Sequence, residues 1–579
     1  MFTTRFLHVL LFSSLALAWV DLDPAIIPAV DEPLEVYSLG NPSFLPHEWL
    51  DGIVGNVADG VKFAKRGDDS SKIYAYNGDE VVGFVDKSTG ETQVYTDYDK
   101  LPAAKNPIDI KNALKIFEHG KDGFPADDTH VELVQGASLV GSTMNNITDD
   151  ESLSRRWNYE EPDATFLTTG YFQRWVKCKG KKFPVCGPGS RASFSVGVDN
   201  RIFSLSYRWK PAKNSGRIVK PSPLSTIEEV IRRWLEGKRR IKIKHIDICF
   251  YDSGAQWIQP VYRVLGESFP EDNHDNETES SEILRFFPIG DEPVENVFPE
   301  GAAAASEGQP WPAEPKENKP TEVARSLKRN YFEARNSLYE RWAKPTVTVG
   351  RYVTQEDIHQ AEFLKNANGF WNNLATSPII NFVNSQYFWA PRWLYGGSAQ
   401  WYINSVHLAL TEAHGWKHLF STWRGSSVVN PVRIPSTLPP AGYGPGPNNL
   451  GRLAYWIIDA SKVIPAPVDF PGDPFQAFKP WWRVLCGGLH AVMGWRTKTL
   501  FSDDVAVHTA WLIAHFRIPV VSAWLYAAHN DWAYFFGPTY NGKPYGRASV
   551  IYPCGRGSDK VWQVEKLPKP KCLKMKWWN

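Results

Sequence analysis

Ser405-Val406-His407-Leu408-Ala409-Leu410 running into Thr411-Glu412-Ala413-His414-Gly415, and Leu453-Ala454-Tyr455-Trp456-Ile457-Ile458 running into Asp459-Ala460-Ser461, decide how this chain is read. Each mainly apolar run has the length of a strand buried on both faces, as in a parallel sheet covered by helices. Each ends in polar residues, and Gly415 lets the chain turn sharply after His414. Ligands of open α/β sheets gather at the carboxyl ends of parallel strands, so two such strands would bring His414 and Ser461, 47 residues apart, to one edge. These residue types offer acyl transfer, with Ser461 as nucleophile and His414 as general base. Asp459, two residues before Ser461 and on the same face of an extended strand, can orient the imidazole; Glu412 is a second candidate orienter and His418 an alternative base. Two plainer roles stand beside this one: His414 as a packed core histidine, and Ser461 as the cap of a helix starting near Lys462.

Around this pair the chain is rich in tryptophan, with 16 of its 25 Trp after residue 344. Trp481, Trp482, Trp495, Trp524 and Trp532 could line a groove for sugars or peptides, but core filling is the commoner use. His490, His508, His515 and His529 lie in apolar, aromatic stretches and read as core histidines. Asp503-Asp504 reads as turn capping, with recognition of a substrate cation as the sharper alternative. The stretch from Pro439 to Pro447, rich in Gly and Pro, reads as a flexible loop where lids over active sites occur.

With 579 residues, 43% apolar and 22% charged, the chain is long enough for two or three globular units. Sixty-four basic against 63 acidic residues leave a net charge of +1, so no nucleic-acid partner is expected. Arg5, the apolar run Phe6 to Leu17 and Ala16-Leu17-Ala18 read as a secretory signal over residues 1–18, with the mature chain beginning at Trp19. No later apolar run is long enough to span a membrane. The sequons at Asn146 and Asn276 fit a secreted glycoprotein. Six Cys allow three bridges; proximity favours Cys178 with Cys186 and Cys554 with Cys572, leaving Cys249 and Cys486 to pair or stay free. No closely spaced Cys/His set accompanies them, so neither metal nor cofactor is expected.

The N-terminal half reads as alternating strands and helices. A meander covers 73 to 98 with a turn at Asn77-Gly78-Asp79, and a helix covers 108 to 119. Strands are expected at 166–176, 192–198 and 202–208, with Asp199-Asn200 as a hairpin turn. A helix starts at Ser225, which forms a capping box with Glu228, and strands at 246–251 and 258–264 complete the set. Residues 291–325, acidic and proline-rich, read as a linker open to proteolysis, and a basic helix over 323–343 leads onward.

On the phrases Val85-Asp86-Lys87-Ser88-Thr89-Gly90-Glu91, Ser195-Val196-Gly197-Val198-Asp199 and Trp257-Ile258-Gln259-Pro260-Val261-Tyr262, this half resembles the propeptide modules of secreted metallopeptidases and PepSY-type domains. That resemblance implies a folding or inhibitory role; an ordinary α+β domain without such a role is the alternative. The strand, His-Gly, strand, nucleophile order of the C-terminal half resembles caspases, gingipain, clostripain and legumain, in which a Cys ends the second strand. More closely, residues 345–579 look like an uncharacterised family of secreted bacterial and fungal proteins. Gly488-Leu489-His490-Ala491-Val492-Met493-Gly494-Trp495-Arg496-Thr497, Cys554 with Cys572, and Trp577-Trp578 carry that likeness. Where that pattern places Cys, this chain has Ser461, a poorer nucleophile unless base and oxyanion hole are well placed.

The expected organisation is therefore a signal peptide (1–18), an α+β propeptide-like domain (19–290), a linker (291–325) and an α/β domain with a caspase-like sheet and flanking helices (326–579). The resemblance implies a secreted, cysteine-peptidase-like acyl hydrolase on peptide or ester bonds, acting on a peptide or small-molecule substrate. The alternatives are a non-catalytic ligand-binding pseudoenzyme and a ligase or cyclase of a secreted biosynthetic step.

Overall fold

The computed structural model describes residues 20–579 except 45–46, 58–60, 65–70, 79, 112–123, 125–126, 148–157, 236–239, 270–280, 291–292, 296–343, 355–359, 423–431, 435, 440, 447–450, 501–503, 532–533 and 535–543. The signal segment, the Asn276 sequon, nearly all of the linker, the basic helix and most of the helix expected over 108–119 lie outside the described residues.

The expected meander is present as β1 (Lys72–Asn77), β2 (Glu80–Asp86) and β3 (Thr92–Val94), all antiparallel, turning at Gly78 with φ +59°. A long hairpin follows, β4 (Thr129–Asn145) and β5 (Asn158–Cys178), then β6 (Arg191–Val196) and β7 (Ile202–Arg208). Asp199 and Asn200 take the left-handed conformation between β6 and β7, which these side chains tolerate, so the hairpin turn falls where the sequence places it. β7 returns to pair with β3, and the strands lie in the order β1-β2-β3-β7-β6-β5-β4.

A second antiparallel set, β8 (Arg240–Asp252), β9 (Trp257–Phe269) and β10 (Ser281–Pro288), is covered by helix α1 (Leu224–Leu235). Ile227, Ile231 and Leu235 form the one apolar stripe of α1 and pack on Ile241, Val264 and Phe287. Ser225 falls inside the first turn of α1, one residue past its start.

The described residues hold two disulfides, Cys186–Cys249 and Cys554–Cys572, with Cys178 and Cys486 outside any disulfide. Two bridges suit an extracellular protein. The Cys554–Cys572 bridge is the one proximity favoured, but the expected Cys178–Cys186 bridge is not formed. Lys179 and Gly180, both at positive φ, make a tight hairpin that sets Cys178 opposite Lys181. Cys186 lies five residues further along the strand, about 16 Å away at 3.3 Å per residue and far beyond disulfide reach. It bonds instead across to β8, where strand Lys181–Cys186 runs parallel and Cys186 faces Tyr251. Nearness along the chain misleads because a hairpin separates the two ends of its arms.

The C-terminal region contributes β11 (Thr346–Val353), α2 (Gln360–Ala375), β12 (Asn381–Phe388), β13 (Leu408–Glu412), β14 (Tyr455–Asp459), α3 (Phe475–Leu485), β15 (Ala491–Trp495), α4 (Val505–Phe516), α5 (Val520–Asn530), β16 (Ala548–Pro553) and β17 (Leu573–Trp578). Its strands lie in the order β12-β11-β13-β14-β15-β16-β17, the first five parallel and the last two antiparallel. Helices cover both faces, and the alternation along each strand sorts its side chains between two cores. Tyr455 and Ile457 of β14 pack with α2, α4 and α5, whereas Trp456 and Ile458 pack with Trp481, Trp482 and Leu485 of α3.

The regions expected as 19–290 and 326–579 share one sheet and one core. The free edge of β17 pairs antiparallel with β4, from Leu573 opposite Met144 to Trp578 opposite Leu139. Phe84 of the meander stacks on Phe516 of α4 at 5.7 Å, and the Tyr526 hydroxyl of α5 donates to the Leu205 carbonyl at 2.9 Å. The whole is a mixed α/β protein with a large mixed sheet and few helices.

Candidate functional site

β13 and β14 are adjacent and parallel, in register from Leu408 opposite Tyr455 to Glu412 opposite Asp459. Their carboxyl ends therefore lie level, and His414 and Ser461, each two residues further on, leave the sheet at one edge. Thr354, at the end of β11, donates to the Glu412 carbonyl through its N–H (3.1 Å) and its hydroxyl (3.2 Å), binding the ends of β11 and β13 together. This is also where chain order reverses, with β12 on one side of β11 and β13 on the other, the usual position of a ligand crevice.

The two carboxyl side chains of this edge share one level on neighbouring strands, and both are buried. Asp459 accepts from the Trp495 indole N–H at 2.6 Å, and burial pushes its pKa up to about 6. The Ser461 hydroxyl accepts from the Thr499 N–H at 3.0 Å and lies 3.2 Å from the Thr499 hydroxyl. No α-helix starts after Ser461; Lys462 turns at φ +58° and its N–H donates to the Thr497 carbonyl. The capping role open to this serine is thus replaced by a bond to the loop after β15.

His414 is buried with its ring edge-on to Phe363 of α2 at 5.7 Å, and its carbonyl accepts from Ser421 N at 2.8 Å. Neither Ser461 nor Asp459 hydrogen-bonds to His414 among the described residues. The edge thus gathers all three sequence-derived residues without joining them through hydrogen bonds. His418 stacks on Phe470 at 5.8 Å and burial lowers its pKa to about 4, so its imidazole is neutral near pH 7. Gly415 is needed for close approach: a Cβ there would stand 2.5 Å from the Ser461 carbonyl oxygen.

The expected lid is not a lid. Residues 441–446 pack at the opposite, amino edge of the sheet, where Gly444 N donates to Asn404 at 2.8 Å and Tyr443 N to the Val484 carbonyl at 3.0 Å. Tyr443 is fully buried, and Gly442 and Gly444 take positive φ to thread this contact. Trp481, Trp495 and Trp524 fill the core, while His508 packs against Trp511 and His529 against Trp578, and desolvation there lowers both imidazole pKa values to about 3. Asp504 immediately precedes α4, but its side chain makes no capping hydrogen bond and meets Lys365 Nζ at 3.1 Å instead.

The pairing of Glu412 with Asp459 and the contacts of Trp495 and Thr499 escaped the sequence reading. The first had a visible signal: Glu-Ala-His and Asp-Ala-Ser end the two strands in the same polar-x-polar phase. The others had none, because Trp495 and Thr499 reach the edge only through the packing of β15 beside β14.

Among the described residues no group of three or more His, Cys, Asp or Glu could hold a metal ion, and no helix is long and apolar enough to cross a membrane.

Fold and edge together define the class as a mixed α/β protein with a polar strand-end edge at its chain-order reversal. No family model and no curated protein matches the chain. Among solved structures, an uncharacterized protein from Eubacterium rectale ATCC 33656 is similar over 48% of this chain and 90% of its own, at 10% identity and a TM-score of 0.27.

Proposed function

We propose that this is a secreted protein whose C-terminal region is a caspase-like derivative of a cysteine-peptidase-type hydrolase and acts as a non-catalytic binding unit. The bond of the Ser461 hydroxyl to Thr499 N carries this reading: a nucleophile needs a base within hydrogen-bond reach, and this hydroxyl is held by a backbone amide instead. The two disulfides support secretion, and Asn146, exposed just past the end of β4, is accessible to glycosylation. The order β12-β11-β13-β14-β15, with His-Gly after the third strand in chain order and Ser461 after the fourth, supports the caspase-like ancestry. That same delivery of His414 and Ser461 to one edge favours a second reading, an acyl hydrolase with Ser461 as nucleophile, His414 as base and Asp459 as orienter.

A fluorophosphonate probe separates the two. The wild-type protein is expected to stay unlabelled, like Ser461→Ala and His414→Ala. Labelling of wild type that disappears in both variants would establish the hydrolase. In Ser461→Cys the new thiol is expected to react with iodoacetamide no faster than Cys486, which is in no disulfide; rapid alkylation that depends on His414 would likewise overturn the binding reading.

A further inference from the structure

β5 turns back on strand Lys181–Cys186 through Lys179 and Gly180, and Lys177-Cys178-Lys179-Gly180-Lys181-Lys182 sets four exposed lysines around this tip. The hairpin breaks two local preferences. Both turn residues take positive φ, +51° at Lys179 and +78° at Gly180, in a turn that favours Asn-Gly, Asp-Gly or Gly-Gly and strains a lysine at its first position. Lys177 stands directly opposite Lys182 in the ladder, where like charges repel. Folding gains nothing from either choice, and each places a cation at the tip. Local rules broken at one place point to a function there.

Glu132 pairs with Lys182, whose Nζ lies 4.2 Å from the centre of the half-buried Trp175 ring. Lys177, Lys179 and Lys181 form no ion pair among the described residues. Other carboxylates border the lysines. Glu32 and Glu35 lie beside Cys178, whose sulfur accepts from Glu35 N at 3.4 Å, and Asp128 lies near Tyr37, whose hydroxyl donates to the Lys177 carbonyl at 2.9 Å.

This border selects among polyanions. A bilayer or a duplex, broad and uniformly negative, would meet the carboxylates together with the lysines, whereas a single anionic chain laid along the hairpin meets the lysines alone. Single-stranded nucleic acid is held by stacking its bases on aromatic rings, and the ring at hand, Trp175, is occupied by Lys182.

We propose that this hairpin binds an acidic polysaccharide, its sulfate or carboxylate groups on Lys177, Lys179 and Lys181. The site uses no group of the strand-end edge and stands whether that edge binds or catalyses.

Isothermal titration of the full protein with a sulfated heparin oligosaccharide and with oligogalacturonate, which carries carboxylates only, tests this and distinguishes the two anions. At least one is expected to bind saturably and to lose about tenfold or more in affinity between about 50 and 200 mM salt, while neutral maltohexaose does not bind. Lys177→Gln combined with Lys179→Asn and Lys181→Gln is expected to cost about tenfold or more. Lys179→Asn alone restores the favoured Asn-Gly turn, so it should raise the urea midpoint while weakening binding about threefold. A lysine present only for the fold would not move the two in opposite directions. Lys479→Gln, at an exposed lysine of α3, is expected to bind as wild type does. Absence of binding by both acidic glycans, equal binding of maltohexaose, unchanged affinity in the triple variant, or a lower urea midpoint in Lys179→Asn would each overturn the proposal. So would binding of phosphatidylserine vesicles, oligothymidylate or polyglutamate as tight as that of the better glycan.

Discussion

Cys249→Ser is expected to lower the unfolding free energy by about 4 kcal/mol, because the bridge it removes closes a loop spanning 63 positions. Cross-linking residues so far apart excludes many extended conformations from the unfolded chain, and that exclusion vanishes with the bond. The native state loses support as well. Strand Lys181–Cys186 meets β8 through only two register pairs, Val185 with Phe250 and Cys186 with Tyr251, at the point the bridge pins. Cys178→Ser is the control, since Cys178 is a free thiol whose sulfur accepts from Glu35 N at 3.4 Å; it is expected to cost no more than about 1 kcal/mol. Urea midpoints and slopes of the two variants make the comparison. Peptide mapping of the unreduced protein should recover a fragment joining Cys186 to Cys249. A map joining Cys178 to Cys186, or equal losses in the two variants, would show that the hairpin at Lys179-Gly180 does not hold these cysteines apart.

Asp459→Asn is expected to stabilise the protein by about 3 kcal/mol at neutral pH. Burial raises the carboxyl from an ordinary value of 3.8 to about 6, so the fold favours the protonated form. Between about pH 4 and pH 6 the native state binds more protons than the unfolded chain, and stability falls as pH rises through that window. Above it, the fold bears the full penalty of a buried carboxylate. The asparagine keeps an oxygen for the Trp495 indole N–H and carries no charge, so its stability should stay flat across the window and meet that of wild type below about pH 4. Chemical denaturation at several pH values reads this directly. Destabilisation of Asp459→Asn at neutral pH would mean that a cation holds the carboxylate, as a protonated His414 would in a working triad, and would favour the hydrolase over the binding unit.

The core of the fold was legible where apolar content was uninterrupted. Leu453–Ile458 reads as a strand covered on both faces because the run is short and rich in aromatic and β-branched residues, and the meander announced itself through alternation around Asn77-Gly78. The strands β11 and β12 and the helices α4 and α5 were not placed in advance. The two helices are apolar or aromatic nearly throughout, so periodicity loses its contrast there, whereas β11 carries Arg351 and β12 is half Asn, Ser and Gln, so neither shows the continuous apolar run that marks β14. The Gly/Pro stretch before β14 misled for a related reason. Glycine and proline signal irregular backbone, but irregular backbone can be buried when neighbouring carbonyls and amides satisfy it, as Asn404 and Val484 do for residues 443–444.

By itself the sequence determined which segments become buried strands, which of their ends carry polar groups, and that His414 and Ser461 leave a sheet in matching phase, since these follow from local pattern and the two-residue period of a strand. Only the tertiary structure decided that β13 and β14 lie side by side, that Glu412 meets Asp459, that Ser461 is held by Thr499, and that Cys186 bonds to Cys249. It also joined the two halves through β17 and β4. Each of these outcomes depends on which segment becomes a neighbour across the sheet, and that choice is made by the packing of the whole chain.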